Sequence, residues 1–203
     1  MRKYLIAIID YGVGNLMSVQ NALEYIGAEN EITSDKDKIL VADQVILPGV
    51  GAFDEGMKRL AEASLIETIE EVVKQNKPLL GICLGMQLMF EGSEEGKRPG
   101  LGIFKGEIVR FPRNTDLKIP QIGWNNISLV RESRLLHNLD GQYMYFVHSF
   151  CLDQDYGEAT SVTNYGIDFY GTQERGNVFC TQFHPEKSGR AGLMLLRNFL
   201  ELK

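Results

Sequence analysis

The hydrophobic pattern changes character near the middle of the chain. In the first half, continuous apolar runs of strand length alternate with stretches whose apolar residues recur at helical spacing. The runs are Tyr4–Ile9, Gln44–Leu47 and Pro78–Cys83. Leu16, Val19, Leu23 and Ile26 predict a helix over 16–26, capped by Gly27. A second helical stretch spans Asp54–Lys74, with a break near Ser64. A strand that is apolar throughout has no wet face, so these runs predict a parallel sheet with helices on both sides.

The second half is richer in strands. Gly106–Phe111, Gln121–Val130, Tyr143–Ser149, Ala159–Thr163, Phe169–Gln173 and Val178–Phe183 read as strands. Several alternate with period two, as in an antiparallel layer with one solvated face. Ser188–Leu202 closes the chain as an amphipathic helix with Leu193, Leu196 and Leu200 on one stripe, and Glu91–Gly100 reads as a charged surface loop. The expected fold class is α/β: a mostly parallel central sheet, helices on both faces and an antiparallel strand layer, in one domain spanning 1–203.

Composition narrows the function classes. Apolar residues make up 44% and charged residues 24% of the 203, a balance that excludes disorder as the default. With 21 Lys plus Arg against 27 Asp plus Glu, the net charge is −6, so there is no basic footprint for nucleic acid. Apolar runs such as Leu5–Ile9 are far shorter than the ~20 residues of a membrane span, and Met1-Arg2-Lys3-Tyr4 leads into a strand without the apolar core of a signal peptide. Three cysteines without a C-x-x-C spacing suggest a reduced, cytoplasmic, soluble protein with neither disulfides nor a zinc site. No cofactor or metal-ligand pattern stands out.

The sharpest chemical signal is Gly81-Ile-Cys83-Leu-Gly85-Met-Gln87. An apolar strand enters Gly-x-Cys-x-Gly and switches to a helical pattern, the strand–nucleophile–helix turn of a nucleophile elbow with Cys in place of Ser. Such a sharp bend leaves no room for Cβ atoms beside the nucleophile, and the following helix start favours a thiolate. Cys151 and Cys180 lie in ordinary apolar settings and read as inert core thiols. A thiolate needs a base that later serves as acid, and His184 stands in Phe183-His184-Pro185-Glu186. Pro185 keeps His184 extended, so Glu186 two residues on falls beside the imidazole and can fix its tautomer. His137 reads as a surface helical histidine; His148 reads as lining a cleft or sitting hydrogen-bonded in the core. For the oxyanion, the amide of Leu84 follows from the elbow, and Pro48-Gly49-Val50-Gly51 offers a second glycine loop at a strand's C-terminal end.

These residues resemble the two signatures of the triad-type (class I) glutamine amidotransferases. Pro48-Gly49-Val50-Gly51-Ala-Phe53, Gly123-Trp124-Asn125, Tyr145-Phe-Val-His148-Ser149-Phe150 and Pro185-Glu-Lys187-Ser188 narrow the likeness to the glutaminase subunits of imidazole glycerol phosphate synthase. It runs from Ile9-Asp-Tyr-Gly-x-Gly-Asn15 to the last helix. The resemblance implies a flavodoxin-like architecture and no cofactor. It also implies roles: Cys83 as nucleophile, His184 as acid and base, Glu186 as its orienter, and Val50, Gly51 and Leu84 as the oxyanion hole. Gln87, Glu95 and the backbone of His148, Ser149 and Phe150 would hold L-glutamine. Asn15, Trp124, Tyr145 and Lys187 would face a (β/α)8-barrel cyclase subunit in a heterodimer, to which ammonia passes in histidine biosynthesis. The residues leave three alternatives open: a triad glutaminase feeding a different synthase, a stand-alone Cys-elbow hydrolase, and a catalytically silent subunit that only binds a partner.

Overall fold

The computed structural model describes residues 4–112 and 117–202. Met1–Lys3, of the Met1-Arg2-Lys3-Tyr4 segment, lie outside the described residues. The elements, in order, are β1 (Ile6–Ile9), α1 (Leu16–Tyr25), β2 (Asn30–Thr33), α2 (Lys36–Val41), β3 (Gln44–Gly49), α3 (Phe53–Glu62), α4 (Ile66–Lys74), β4 (Leu79–Cys83), α5 (Leu84–Leu88) and β5 (Gly92–Ser93). They continue with β6 (Glu107–Arg110), β7 (Gln121–Asn126), β8 (Ser128–Leu129), β9 (Tyr143–His148), β10 (Phe150–Cys151), β11 (Ala159–Asn164), β12 (Asp168–Arg175) and β13 (Val178–Thr181). A 3-10 turn (Pro185–Lys187) and α6 (Gly189–Glu201) end the described chain.

Eight strands form the main sheet in the order β2-β1-β3-β4-β13-β12-β11-β8. The first five are mutually parallel; β12, β11 and β8 extend the sheet antiparallel. Two small sheets, β10-β6-β5 and β7-β9, complete the strand set. The antiparallel strands of the second half therefore divide between the edge of the main sheet and two smaller ones. β13 is the strand whose placement no local pattern announces, since it crosses over to pair in parallel with β4.

The continuous apolar runs have the reason given for them. Along β1, Ile6 and Ile8 join one buried cluster while Ala7 and Ile9 join another; along β3, Ile46 opposes Val45 and Leu47 in the same way. One cluster holds Leu60, Ile69 and Val72 of α3 and α4, the other Val19 and Leu23 of α1 with Leu195, Leu196 and Phe199 of α6. Both faces of the parallel strands are thus dry, which is why neither face reads as polar. The break expected near Ser64 lies between α3 and α4, where Ser64 takes φ +51° and ends the first helix.

Short polar elements escaped the pattern. β2 is half-exposed throughout most of its length, and α2 is one and a half turns long, held by the Asp35 side chain accepting from the amides of Asp37 and Lys38. His137 stands exposed in a turn over 135–138 and not in a helix, because Asn138 takes φ +59°, a conformation through which a helix does not continue. Among the described residues no helix is long and apolar enough to cross a membrane. Cys83, Cys151 and Cys180 are all free and buried.

Candidate active site

Parallel strands end on a common edge, and here the edge carries chemistry. Gly49 of β3 pairs with Cys83 of β4, and Thr181 of β13 pairs with Ile82, so the chain leaving β13 runs past the Cys83 bend. Cys83 itself takes φ +54° and ψ −110°, a conformation that L-residues avoid and that this packing enforces. A Cβ at Gly85 would lie 1.8 Å from the Leu47 carbonyl oxygen, and one at Gly81 would lie 2.8 Å from the Met89 sulfur and 3.0 Å from the Gly85 carbonyl oxygen. The flanking glycines thus let α5 press against β3 and β4, which thrusts the cysteine outward.

His184 is brought to the same bend. Its Nδ1 is 2.8 Å from Glu186 Oε1, and its ring lies within hydrogen-bonding reach of the Cys83 thiol. Burial opposes a charged imidazole here. Hydrogen bonds to Cys83 and Glu186 reverse that effect and raise the His184 pKa from 6.5 to about 10. The Glu186 side chain is only 2% exposed, so its charge acts on the ring with little screening from water. The backbone around His184 is pinned from β9: the His184 amide donates to the Tyr145 carbonyl (2.9 Å), the Tyr145 amide donates to Ser188 Oγ (3.0 Å), and Ser188 Oγ donates back to the His184 carbonyl (2.6 Å).

Cys83 and His184 open on a cleft of ≈ 260 Å³. Its walls include Val50, Gly51, Leu84, Gln87, Glu95, His148, Ser149, Phe150 and Lys187, so the residues singled out for the oxyanion and for substrate converge there. Glu95 gives one oxygen, Oε2, to the Phe53 amide (2.8 Å) at the start of α3. The Gln87 carboxamide NH2 donates to the carbonyl of Phe150 (3.3 Å) and to Gln182 Oε1 (3.1 Å). A larger hollow of ≈ 780 Å³, lined by Leu129, Glu132, Arg134, His137 and Glu201 among others, shares no residue with this cleft and holds no cysteine.

Both readings left open for His148 hold. The residue is one of the cleft walls, and its ring is buried among Phe111, Phe146 and Phe169. Nδ1 lies 2.7 Å from the Phe150 carbonyl, and Nε2 lies 2.9 Å from the Gln121 carboxamide. Burial, only partly offset by the hydrogen bond to Phe150 and reinforced by His184, lowers its pKa from 6.5 to about 4, so this ring is neutral. Cys151 and Cys180 behave as core residues: burial pushes the Cys151 thiol up to about 12 and raises that of Cys180 further.

The other residues singled out are not walls of this cleft. Trp124 and Tyr145 are cross-strand partners on β7 and β9 with ring centroids 6.0 Å apart, and Trp124 is 55% exposed. Ile122 and Tyr143, which sequence reading passed over, share that outer face and are 63% and 60% exposed. Asn15 stands at the start of α1, lining a small hollow with His184 and Glu186. Among the described residues no group of three His, Cys, Asp or Glu is placed to hold a metal. Two further residues beside Cys83 were missed. Gln182 stands two positions before His184, and its signal is an amide placed directly after an apolar strand. Tyr11 donates its hydroxyl to the Pro48 carbonyl (2.8 Å), and burial, then Cys83, raises its pKa far above the ordinary value.

Known proteins resemble this chain over nearly its whole length. The profile described as "Glutamine amidotransferase class-I" matches residues 7–202. A protein of Bacillus cereus named "Imidazole glycerol phosphate synthase subunit HisH" is 51% identical over 197 residues, covering 96% of this chain and 93% of the relative. A Methanosarcina barkeri protein of the same name is 47% identical over 201 residues, covering 97% and 98%. Among solved structures, "Structure of PurLQS from Thermotoga maritima" superposes with a TM-score of 0.76 at 19% identity, covering 98% of each chain. "Crystal structure of glutamine amidotransferase" does so with a TM-score of 0.75 at 19% identity, covering 97% of each. These two likenesses concern the fold alone.

Proposed function

The chain belongs to the class-I glutamine amidotransferase family, and from that premise we propose how it works as the glutaminase subunit of an imidazole glycerol phosphate synthase. Cys83 gives its proton to His184 and attacks the side-chain amide carbon of L-glutamine. Amides of Leu84 and of the Val50–Gly51 loop receive the oxyanion. His184 returns the proton to the leaving nitrogen, ammonia departs, and a γ-glutamyl thioester remains. His184 then takes a proton from water, which hydrolyses the thioester to glutamate. Glu186 holds the imidazole in the tautomer that presents Nε2 to sulfur and stabilises the imidazolium. Gln87, Glu95 and the backbone of His148, Ser149 and Phe150 hold the amino-acid end of the substrate.

Ammonia in water near neutral pH is mostly protonated and is then no nucleophile, so it must be handed over in a closed, dry contact. We assign the receiving partner, a (β/α)8-barrel cyclase in a heterodimer, to the surface that carries Asn15, Trp124, Tyr145 and Lys187. The exposed Ile122 and Tyr143 beside Trp124 support that assignment, because a contiguous apolar face next to a catalytic cleft favours a docked protein. Residues 1–203 act as one amidotransferase domain, and free thiols suit the cytoplasm.

The observation that carries this reading is the meeting of Cys83 and His184 in one cleft despite about a hundred intervening residues, with Glu186 bonded behind the imidazole. Its test is Cys83→Ala assayed with the cyclase. Glutamine-dependent synthesis of imidazole glycerol phosphate disappears while synthesis from added ammonia persists. Loss of both would make Cys83 structural, and retention of both would remove it from the reaction.

A further inference from the structure

Gln182 is 1% exposed and follows β13 directly, level with the bend at Cys83. Its orientation is set by a chain of partners that leaves one assignment. The Phe150 carbonyl can only accept, so the Gln87 atom facing it is the NH2. The same NH2 faces Gln182, which must therefore offer its oxygen, Oε1, at 3.1 Å. That leaves the Gln182 NH2 turned the other way, and it lies 3.9 Å from Cys83 Sγ, the long end of the range for a sulfur acceptor. A carbonyl, that of Val147, also lies 3.9 Å from the sulfur and suits the neutral thiol as acceptor of its proton. An acceptor there does nothing for a sulfur anion, whereas a donor does.

We propose that Gln182 is a further catalytic residue, whose carboxamide N–H donates to the Cys83 sulfur and holds negative charge there when the thiolate forms and when the thioester is released. His184 holds a proton at both moments, but it is the proton that the reaction moves, first to the leaving nitrogen and at the end back to the sulfur. The Gln182 N–H does not titrate and stays in place. Gln87 thereby serves two ends: it orients Gln182 toward the sulfur through its NH2 and lines the substrate cleft. The inference rests on Cys83 being the nucleophile.

The experiment measures the rate of Cys83 carboxamidomethylation by iodoacetamide against pH, by mass, in the full-length chain and its complex with the cyclase. Iodoacetamide reads the sulfur without the glutamine-binding residues, so an effect on substrate binding does not enter. The titratable groups facing Cys83 or its cleft are His184, Glu186 behind it, Tyr11, His148, Glu95 and Lys187, and all are common to wild type and variant. Gln182→Met keeps the length and removes the donor; its inflection is expected about one pH unit higher, with alkylation roughly tenfold slower at about pH 7. Gln182→Glu keeps the shape, offers only acceptor oxygens when ionised, and is expected to shift the inflection further. It provides the answer should the Met variant fail to match wild type in thermal unfolding. A profile that coincides with wild type in a folded variant overturns the role of Gln182 and leaves the nucleophile untouched. A wild-type Cys83 that is unreactive near neutral pH overturns both.

Discussion

The buried His148 ring gives this protein an acid sensitivity whose size follows from its surroundings. Three phenyl rings exclude water from it, and its folded pKa of about 4 lies below the 6.5 of the unfolded chain. The unfolded state therefore binds the proton first as pH falls. Stability from the neutral ring is complete above about pH 6.5, declines between about 6.5 and 4, and falls no further from this group below that. The slope in that window is about 1.2 kcal/mol per pH unit, and from pH ~7 to ~4.5 the loss integrates to about 2 kcal/mol. His148→Gln removes the titration and keeps an amide able to bond the Phe150 carbonyl. Urea unfolding of both proteins near pH 7 and near pH 4.5 isolates the term, since shared carboxylates cancel in the difference. Wild type is expected to lose about 2 kcal/mol more than the variant over that interval. Parallel losses would refute the reasoning, because they would mean the ring takes up its proton without disturbing the fold.

Gly85→Ala places a Cβ 1.8 Å from the Leu47 carbonyl oxygen, a backbone atom that cannot turn aside. It is expected to cost about 3 kcal/mol or more and to move Cys83 off its bend, read as a lowered Tm with loss of glutaminase activity; a native Tm would contradict the close approach of α5 to β3. Glu186→Gln leaves an acceptor for His184 Nδ1 but removes the charge, so glutamine-dependent kcat/KM should fall roughly a hundredfold or more yet less than in Cys83→Ala, and the His184 pKa should drop. Equal losses in the two variants would contradict an orienting role. Trp124→Ala removes an exposed ring and should change stability little while weakening the cyclase complex about thirtyfold by calorimetry. Unchanged affinity would take Trp124 out of the interface.

The amino-acid order alone determined more of the chemistry than of the topology. Gly81-x-Cys83-x-Gly85 before a helical pattern and His184-Pro185-Glu186 in extended chain are local arrangements, and local sterics suffice to predict an outward thiol and a carboxylate beside an imidazole. Apolar continuity in β1, β3 and β4 likewise specified a sheet dry on both faces. Short polar elements such as β2 and α2 stayed hidden, since their stability comes from the neighbours they pair with and from a cap. Only the tertiary structure decided that β13 crosses to lie parallel to β4, and that one crossover brings His184 to Cys83. It also set the His148 ring among three phenyl groups, and it turned the Gln182 amide onto the sulfur. The physical reason is common to all three: which way a side chain points in a strand follows from period two, but what it meets there depends on strands distant in sequence.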